Sequence, residues 1–386
     1  MEKIAVSITR CQKIDEFNSI NKAVSSSIDL IGGLESLVSL GDKVLIKPNI
    51  FSPYDYKTGA VTNPYVVKAL CRLARDAGAR RLIIAEGSNV GSKTKEAFIK
   101  SGISKIAEEE NTELVDLKSA KTIYMGIPNG RIFRRIQIPE VIMQADVIIN
   151  VPAMKTHDAF PATLGLKNMK GVIQEKDKKR FHKWGLAQSI VDLDKLVLPQ
   201  LTVIDGTVAM EGMGPAHGTP VNFGIIISSF DTVAADTVAA NVMGIDPVEI
   251  EYIQLAAEQG LGCADISQIE VVGLSIDQVK RPFKRIQLDF EVYRKKGVEI
   301  YEAGACSGCR HVIEALLIDL EKKSELGLLK GWTLIFGQRV KVPREVKGNL
   351  LCFGLCTKKY RNQGEYIPGC PPHPLDVLDY LQKRKL

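Results

Sequence analysis

Apolar runs of strand length alternate with segments of helical periodicity up to about residue 275, which is typical of a largely parallel sheet. The predicted strands are rich in Val and Ile and end in polar or turn residues. They cover residues 4–9, 43–47, 81–86, 113–116, 145–149, 201–205, 223–228 and 269–272. We therefore predict an α/β fold in which a mostly parallel sheet carries helices on both faces.

Helical spacing fills most of the intervals between these strands. The predicted helices cover residues 65–77, 94–101, 160–172, 179–196, 231–243 and 247–259. Asn63, which precedes a proline, and Asp231, which precedes an apolar run, are typical residues at a helix start. Residues 123–138 are interrupted by a Pro-Asn-Gly turn and predict a β-hairpin.

One loop carries an unusual density of polar side chains. Residues 150–171 follow the predicted strand at 145–149, at the kind of strand end where open α/β sheets bind ligands. This segment contains Lys155, His157, Lys167, Asn168 and Lys170. Ammonium groups beside amide donors suit a carboxylate or a phosphate. The alternative is an ordinary basic loop leading into a solvated helix.

Polar residues also end the neighbouring predicted strands. Because the carboxyl ends of parallel strands share one edge of a sheet, we expect these residues to converge with segment 150–171 in one basic crevice. The predicted catalytic groups, which could move protons, are Lys155, His157 and Glu86. The predicted ligand-binding groups are Lys47, Asn49, Lys167, Asn168, Lys170 and Asp205. Taken singly, each also has an ordinary alternative as a turn, cap or solvated residue.

Several short motifs follow one another along the first part of the chain: Lys47-Pro48-Asn49, Thr62-Asn63-Pro64, Glu86-Gly87, Lys155-Thr156-His157, Leu166-Lys167-Asn168, Gly171, Asp205-Gly206 and the segment 231–236. Their order resembles the bacterial and archaeal family known as domain of unknown function 362. The resemblance covers roughly residues 1–280. Members of this family frequently carry an iron–sulfur module and occur largely in anaerobes, which implies a redox function. The resemblance implies no particular substrate.

The placement of the cysteines indicates a second domain. Five of the eight cysteines fall in the C-terminal segment, at Cys306, Cys309, Cys352, Cys356 and Cys370. A reducing compartment disfavours disulfides, so a local cluster of cysteines points to a metal. The polar segment 277–285 is the predicted linker between a domain at 1–280 and a small α/β domain at 286–386.

This C-terminal pattern resembles the cluster domain of nickel–iron hydrogenase small subunits and of the related complex I small subunit. The resemblance rests on Cys306-Ser307-Gly308-Cys309, on Cys356 after an apolar strand, and on the segment 368–374 with its Cys-Pro-Pro-His-Pro sequence. It implies one [4Fe–4S] cluster with the ligands Cys306, Cys309, Cys356 and Cys370. Cys352 falls within the predicted strand and is the spare cysteine. Zinc is the alternative metal, since four-cysteine zinc sites are common.

Composition and charge disfavour several classes of protein. The 386 residues are 45% hydrophobic and 25% charged, with a net charge of +6, as in an ordinary globular protein. Lys and Arg are dispersed along the chain, which disfavours a nucleic-acid partner. No apolar run is long enough to span a bilayer, and the start lacks a signal-peptide pattern, so we expect a cytoplasmic protein without a membrane partner. Serine-hydrolase, Walker and dinucleotide motifs are absent from the sequence.

Three functional hypotheses follow from these observations. The first is an iron–sulfur oxidoreductase that acts on an anionic small molecule in the basic crevice and exchanges electrons through one [4Fe–4S] cluster, with a redox protein as a possible partner. The second is a non-catalytic electron carrier or cofactor-maturation protein that docks an acidic partner. The third is a non-redox enzyme that binds an anion and uses the cluster structurally.

Overall fold

Contacts between residues divide the chain into two compact units. The computed structural model describes residues 3–157, 160–285, 288–305 and 307–383. The large unit comprises Met1–Thr156, Ala162–Lys178 and Ala187–Lys284. The small unit comprises His157–Pro161, Lys179–Leu186 and Arg285–Leu386. The large unit ends at Lys284, within the predicted linker at 277–285, so most of that segment belongs to the large unit. The sequence does not indicate that two internal segments group with the small unit.

The large unit is built on a sheet of mixed direction that is mostly parallel. The strands of the unit are β1 Ile4–Arg10, β2 Lys43–Pro48, β3 Arg81–Glu86, β4 Glu113–Asp116, β5 Thr122–Gly126, β6 Arg135–Pro139, β7 Val147–Val151, β8 Ala153–Lys155, β9 Leu201–Glu211, β10 Thr219–Ser229 and β11 Ile269–Gly273. The main sheet has the order β11-β1-β10-β9-β7-β2-β3-β4, and β8 pairs with β9. Among the described strands of this sheet, only β10 runs antiparallel to its two neighbours, β1 and β9. The predicted α/β class with a mostly parallel sheet is confirmed.

The remaining two strands form the predicted hairpin. Strands β5 and β6 pair antiparallel in a separate two-stranded sheet. Between them, Asn129 adopts a positive φ of 50°, a backbone conformation that asparagine tolerates better than most residues.

Three helices of the first part of the chain pack together against the main sheet. The helices described from the N-terminus to residue 197 are α1 Phe17–Asp29, α2 Pro64–Asp76, α3 Thr94–Lys100, α4 Ile103–Glu109, α5 Glu140–Met143, α6 Gly165–Asn168, α7 Glu175–Trp184 and α8 Leu186–Val197. Apolar residues of α1, α2 and α4 pack in one cluster with alternate residues of β2, such as Val44 and Ile46. Because successive side chains of a strand point to opposite faces of the sheet, one alternate set packs against these helices.

Helix α9 packs against β1, β9 and β10 and is buried along nearly its whole length. The later helices of the large unit are α9 Thr232–Val242, α10 Glu251–Glu258 and α11 Ile276–Val279. The Asp231 side chain accepts a hydrogen bond from the Ala234 amide, so the predicted cap at the start of α9 is confirmed.

Two predicted helices are shorter or broken in the structure. The helix predicted at 160–172 begins only at Gly165, because Thr163 pairs with Lys155 in an extended bridge. The helix predicted at 179–196 is interrupted at Gly185, whose φ of 130° ends α7 and precedes α8. Glycine is the residue that adopts this conformation without strain.

The small unit contains a parallel four-stranded sheet. Its strands are β12 Glu299–Glu302, β13 Trp332–Phe336, β14 Asn349–Phe353 and β15 Glu365–Ile367, in the order β12-β13-β14-β15. Its helices are α12 Phe290–Lys295, α13 Ser307–Lys322 and α14 Pro374–Lys383. The predicted small α/β architecture of the C-terminal segment is confirmed.

Candidate functional site

A buried ion pair lies at the carboxyl ends of two adjacent strands. Lys47 near the end of β2 and Glu86 at the end of β3 are joined at 2.7 Å, with side-chain exposures of 0% and 2%. Glu86 also accepts hydrogen bonds from the amides of Ile50 and Gly87. Burial lowers the pKa of Lys47, while the charge of Glu86 acts in the opposite direction. The pair is therefore held in a dry, fully bonded setting.

Three asparagines connect this ion pair to β7 and α6. The Asn168 amide oxygen accepts from Lys47 Nζ at 3.3 Å and from Asn49 Nδ2 at 2.9 Å. The Asn168 amide nitrogen donates to Asn150 Oδ1 at 2.7 Å, and Asn150 donates to the Gly165 carbonyl at the start of α6. Because every one of these amides has a defined partner, the network fixes how α6 meets the strand ends.

Lys155 is the second buried ammonium group of the cluster. Its Nζ donates to Asn49 Oδ1 at 2.6 Å and to the Ala60 carbonyl at 2.5 Å, and it lies 4.3 Å from the centre of the Phe51 ring. Burial, followed by the charge of Lys167, holds the pKa of Lys155 well below its usual range. This environment favours the neutral amine unless a negative charge is added.

Lys178 is a third buried ammonium group, and the sequence did not single it out. Its Nζ donates to the carbonyls of Gly87 and Ser88, directly after β3. Burial is the main cause that lowers its pKa to about 7, and Lys47 contributes in the same direction. Lys178 stands in a highly charged run that is typical of a solvated helix face, so no sequence signal distinguished it from its neighbours.

The buried charges of this site do not balance. We call Lys47, Lys155, Lys178, Glu86 and Asn168 the lysine cluster. Its three lysines interact with one buried carboxylate, that of Glu86, while Lys178 also interacts with the partly exposed Glu175. Within the described part of the chain, Lys155 and Lys178 each make two hydrogen bonds, although an ammonium group carries three N–H donors. An anion would balance the charge and accept the remaining donors.

Backbone without a side chain closes over the ion pair. A Cβ atom at Gly171 would lie 2.2 Å from Glu86 Oε1 and 2.5 Å from Lys47 Nζ, so only glycine fits here. Lys47, Glu86 and Lys155 are each at most 1% exposed. The predicted convergence of strand-end residues is therefore seen, but as an enclosed polar network and not as an open crevice.

Several predicted site residues lie elsewhere or differ in role. Asp205 accepts hydrogen bonds from the amides of Asn63 and Thr207, and burial raises its pKa to about 6. It thus links β9 to the start of α2 and is not bonded to the lysine cluster. The positive charge of Lys167 lowers the pKa of Lys155. Lys170 is half-buried in the turn after α6. His157 groups with the small unit.

The cysteine loops of the small unit follow the carboxyl ends of its strands. Cys356 follows β14 and Cys370 follows β15, and these two loops are joined by a 2.8 Å hydrogen bond from the Leu355 amide to the Gly369 carbonyl. Cys309 lies in the first turn of α13, and its Sγ would be 3.0 Å from a Cβ atom at Gly354. Glycine at 354 therefore leaves room beside the Cys309 sulfur.

The segment Lys179–Leu186 supports the Cys370 loop. The Cys370 amide donates to the His182 carbonyl at 2.6 Å, and the Leu186 amide donates to the Cys370 carbonyl at 2.8 Å. The His182 ring lies 4.9 Å from the His373 ring and is buried. Charged neighbours surround His182 in the sequence, a pattern typical of a solvated helix face, yet packing buries its side chain.

The structure describes three of the four predicted cluster ligands, Cys309, Cys356 and Cys370. Cys306 lies outside the described residues. Across the described ranges, no three His, Cys, Asp or Glu side chains are close enough to hold a metal ion. Cys352 is buried within β14 among apolar residues, and burial raises its pKa to about 11.

Comparisons with known proteins identify a matching family model and a related protein. A family model described as "Domain of unknown function (DUF362)" matches residues 44–241, more than half of the chain. A thylakoid-associated protein of Synechocystis sp. is 28% identical over 308 residues, which is 75% of this chain and 91% of the relative.

Two solved structures are similar in part. The lactate racemase apoprotein from Thermoanaerobacterium thermosaccharolyticum matches with a TM-score of 0.40 and 14% identity, over 64% of this chain and 58% of that one. A protein from Thermotoga maritima matches with a TM-score of 0.37 and 14% identity, over 63% and 59% of the two chains. This chain thus spans less than two thirds of either structure. Among the helices of the described ranges, none is long and apolar enough to cross a membrane.

Proposed function

We propose, from the premise that this chain belongs to the DUF362 family, that it is an iron–sulfur oxidoreductase acting on an anionic small molecule. The lysine cluster of the large unit would bind the anion. Cys306, Cys309, Cys356 and Cys370 of the small unit would hold one [4Fe–4S] cluster. The cluster, when bound, supplies one-electron transfer, and a redox protein would be its external partner.

The meeting of the cysteine loops is the observation that carries this proposal. The Leu355–Gly369 hydrogen bond joins the loops that carry Cys356 and Cys370, and the Sγ of Cys309, in the first turn of α13, lies beside Gly354. Thiolates from separate strand ends, with glycine backbone beside the sulfurs, suit a cubane and leave amides for its sulfides. The donor chemistry of these residues therefore fits the group.

The charge of the lysine cluster supports the anionic ligand. Lys155 and Lys178 each carry a remaining N–H donor. Burial lowers the pKa of both lysines, because the charge of Glu86 does not fully compensate the two buried positive charges. A bound carboxylate or phosphate would keep both lysines protonated. In this proposal the lysines orient the ligand, and Lys178, with a pKa of about 7, can exchange a proton near neutral pH.

Metal analysis of anaerobically produced protein tests the cluster. We expect about four iron and four sulfide per chain and an EPR signal that appears on reduction with dithionite. Cys370→Ala should lose iron, whereas Cys352→Ala, which removes a buried cysteine outside the proposed ligand set, should retain it. Zinc in place of iron, or equal iron in both variants, would contradict the proposal.

Sulfate, whose charge is constant between pH 6 and pH 9, tests the anion site. Because anion binding requires protonated lysines, sulfate should stabilise the protein more at pH 6 than at pH 9, on either side of the Lys178 pKa of about 7. At 100 times its Kd the stabilisation is about 2.7 kcal/mol. Thermal unfolding with and without sulfate measures it.

Lys178→Met is the informative variant for this experiment, and Lys93→Met, at a lysine side chain that is 79% exposed, is its control. The variant at 178 should lose the pH dependence of the sulfate effect, while the control keeps it. General salt effects act on all three proteins alike. An identical sulfate response in wild type and Lys178→Met would reject the lysine cluster as the anion site.

A further inference from the structure

The net positive charge of the chain resides in one short segment of the small unit. The whole chain has 51 Lys and Arg against 45 Asp and Glu, an excess of six. Residues 339–361 contain seven Lys and Arg and one acidic residue, Glu345, which is the same excess of six. The rest of the chain is therefore neutral overall, although its Lys and Arg are dispersed.

All seven basic residues of this segment are exposed. We call them the basic rim: Arg339, Lys341, Arg344, Lys347, Lys358, Lys359 and Arg361. Among the described residues, Lys347 is the one member that forms an ion pair, with Glu299 at 2.9 Å. Charges of both signs are normally mixed on a solvated surface, because like charges repel each other. The basic rim therefore leaves positive charge that an acidic partner would compensate.

The two parts of the segment that carries the basic rim pack on one apolar cluster. Val340, Val342 and Val346 from the loop after β13 contribute to this cluster, and so does Tyr360 after β14. The Tyr360 hydroxyl donates a hydrogen bond to the Val340 carbonyl at 3.0 Å, which joins the two parts. The exposed basic residues between these positions are thus held on a folded surface of the small unit.

A groove of about 540 Å³ opens beside the basic rim. Val342 and Val346, which are sequence neighbours of rim residues, line it from the loop after β13, and Asn349 and Gln363 add amide side chains. Of the described residues that line the groove, only Glu365 is charged. The groove therefore suits an uncharged side chain, while carboxylates of the same ligand would meet the basic rim.

We propose that the basic rim and this groove dock an acidic segment of a partner protein, in which carboxylates flank an apolar side chain. The groove lies at the amino ends of β14 and β15, whereas the cysteine loops follow the carboxyl ends of these strands. The lysine cluster belongs to the large unit. This docking surface therefore goes beyond the proposed function and requires no bound metal.

Two other classes of anionic partner fit this surface less well. A bilayer is planar on the scale of one protein surface, so its headgroups would not reach the floor of a groove. Single-stranded nucleic acid stacks its bases on aromatic side chains, and none of the described residues that line the groove is aromatic. Glu365 would also repel a phosphate group in the groove.

Fluorescence anisotropy of a short labelled peptide, in which glutamates flank a central leucine, tests this docking with the full-length protein. Lys341→Glu with Arg344→Glu should weaken peptide binding about tenfold at low salt, because two exposed attractive contacts become repulsive. Lys93→Glu with Lys105→Glu is the matched control, since it changes the net charge equally at side chains that are each 79% exposed. The control should bind the peptide as the wild type does.

Changes in the peptide separate the role of charge from that of the groove. Glutamine in place of every glutamate should abolish binding, and glycine in place of the leucine should weaken it. Arg361→Glu, two residues before Gln363, should weaken binding of the original peptide and serves where the double variant at 341 and 344 does not fold.

Three results would overturn the proposal. The first is that the wild type does not bind the glutamate–leucine peptide, and the second is that both double variants bind it equally well. The third is tighter binding of phosphatidylglycerol vesicles or of oligothymidylate than of the peptide, which would assign the basic rim to a membrane or to nucleic acid.

Discussion

Glu86→Gln is expected to lower the free energy of unfolding by about 3–5 kcal/mol, the usual cost of leaving one partner of a buried ion pair without its countercharge. Glutamine keeps the shape of the side chain and removes its charge. Lys47, which is fully buried, would then lie beside Lys155 and Lys178 without any neighbouring carboxylate in the cluster. Denaturant unfolding of the two proteins at pH 7 measures the difference.

A surface ion pair provides the control for Glu86. Glu109 pairs with Lys68 at 2.6 Å but is 36% exposed, so Glu109→Gln should change stability little. A similar result for both variants would mean that Glu86 is not the countercharge of a buried cluster.

The double variant Lys47→Met with Glu86→Leu shows how far the charge of Glu86 extends. If Glu86 served Lys47 alone, replacing both by apolar residues would restore most of the stability. We expect only partial recovery, because Lys155 and Lys178 also interact with Glu86. Full recovery would show that these two lysines do not depend on it.

The sequence predicted the strand-end part of the site because strand periodicity is a local property. Lys47, Glu86 and Lys155 each follow or end an apolar run, and a parallel sheet necessarily places such ends along one edge. Asn168 was also anticipated, since it lies in the polar segment that follows β7. These residues meet in the structure as expected.

The rest of the site depends on long-range packing, which local patterns do not record. Lys178 looks like its exposed neighbours until the contact of its Nζ with the Gly87 and Ser88 carbonyls buries it. Asp205 also ends a run of apolar residues, yet its carboxylate is used by the Asn63 and Thr207 amides. The identity of the anion and the oxidation chemistry stay predictions, because neither the strand pattern nor the cysteine spacing specifies a substrate.

Two aspartates of α8 show how differently a buried carboxylate can act within one helix. Asp192 and Asp194 are both fully buried. Asp192 accepts hydrogen bonds from the amides of Arg131, Ile132 and Phe133. By contrast, both oxygens of Asp194 are without hydrogen-bond partners among the described residues. The two carboxylates should therefore respond in opposite directions when their charge is removed.

Asp194→Asn should stabilise the protein by about 1–3 kcal/mol at pH 7, because a neutral amide avoids the penalty that burial puts on the charged carboxylate, about 1.4 kcal/mol for each unit by which the pKa is raised. Burial, followed by the charge of Asp236, raises the pKa of Asp194 well above its usual range. A group with a raised pKa favours the folded state fully below its unfolded pKa, about 3.9, and this benefit is lost as the pH rises toward the folded pKa. The advantage of Asp194→Asn should therefore be small near pH 4 and grow toward pH 7.

Asp192→Asn should instead destabilise by about 1.5–3 kcal/mol, because hydrogen bonds to a charged acceptor are lost. Urea unfolding between pH 4 and pH 7 measures both, and a loss of stability in Asp194→Asn at pH 7 would mean that its carboxylate has a partner after all.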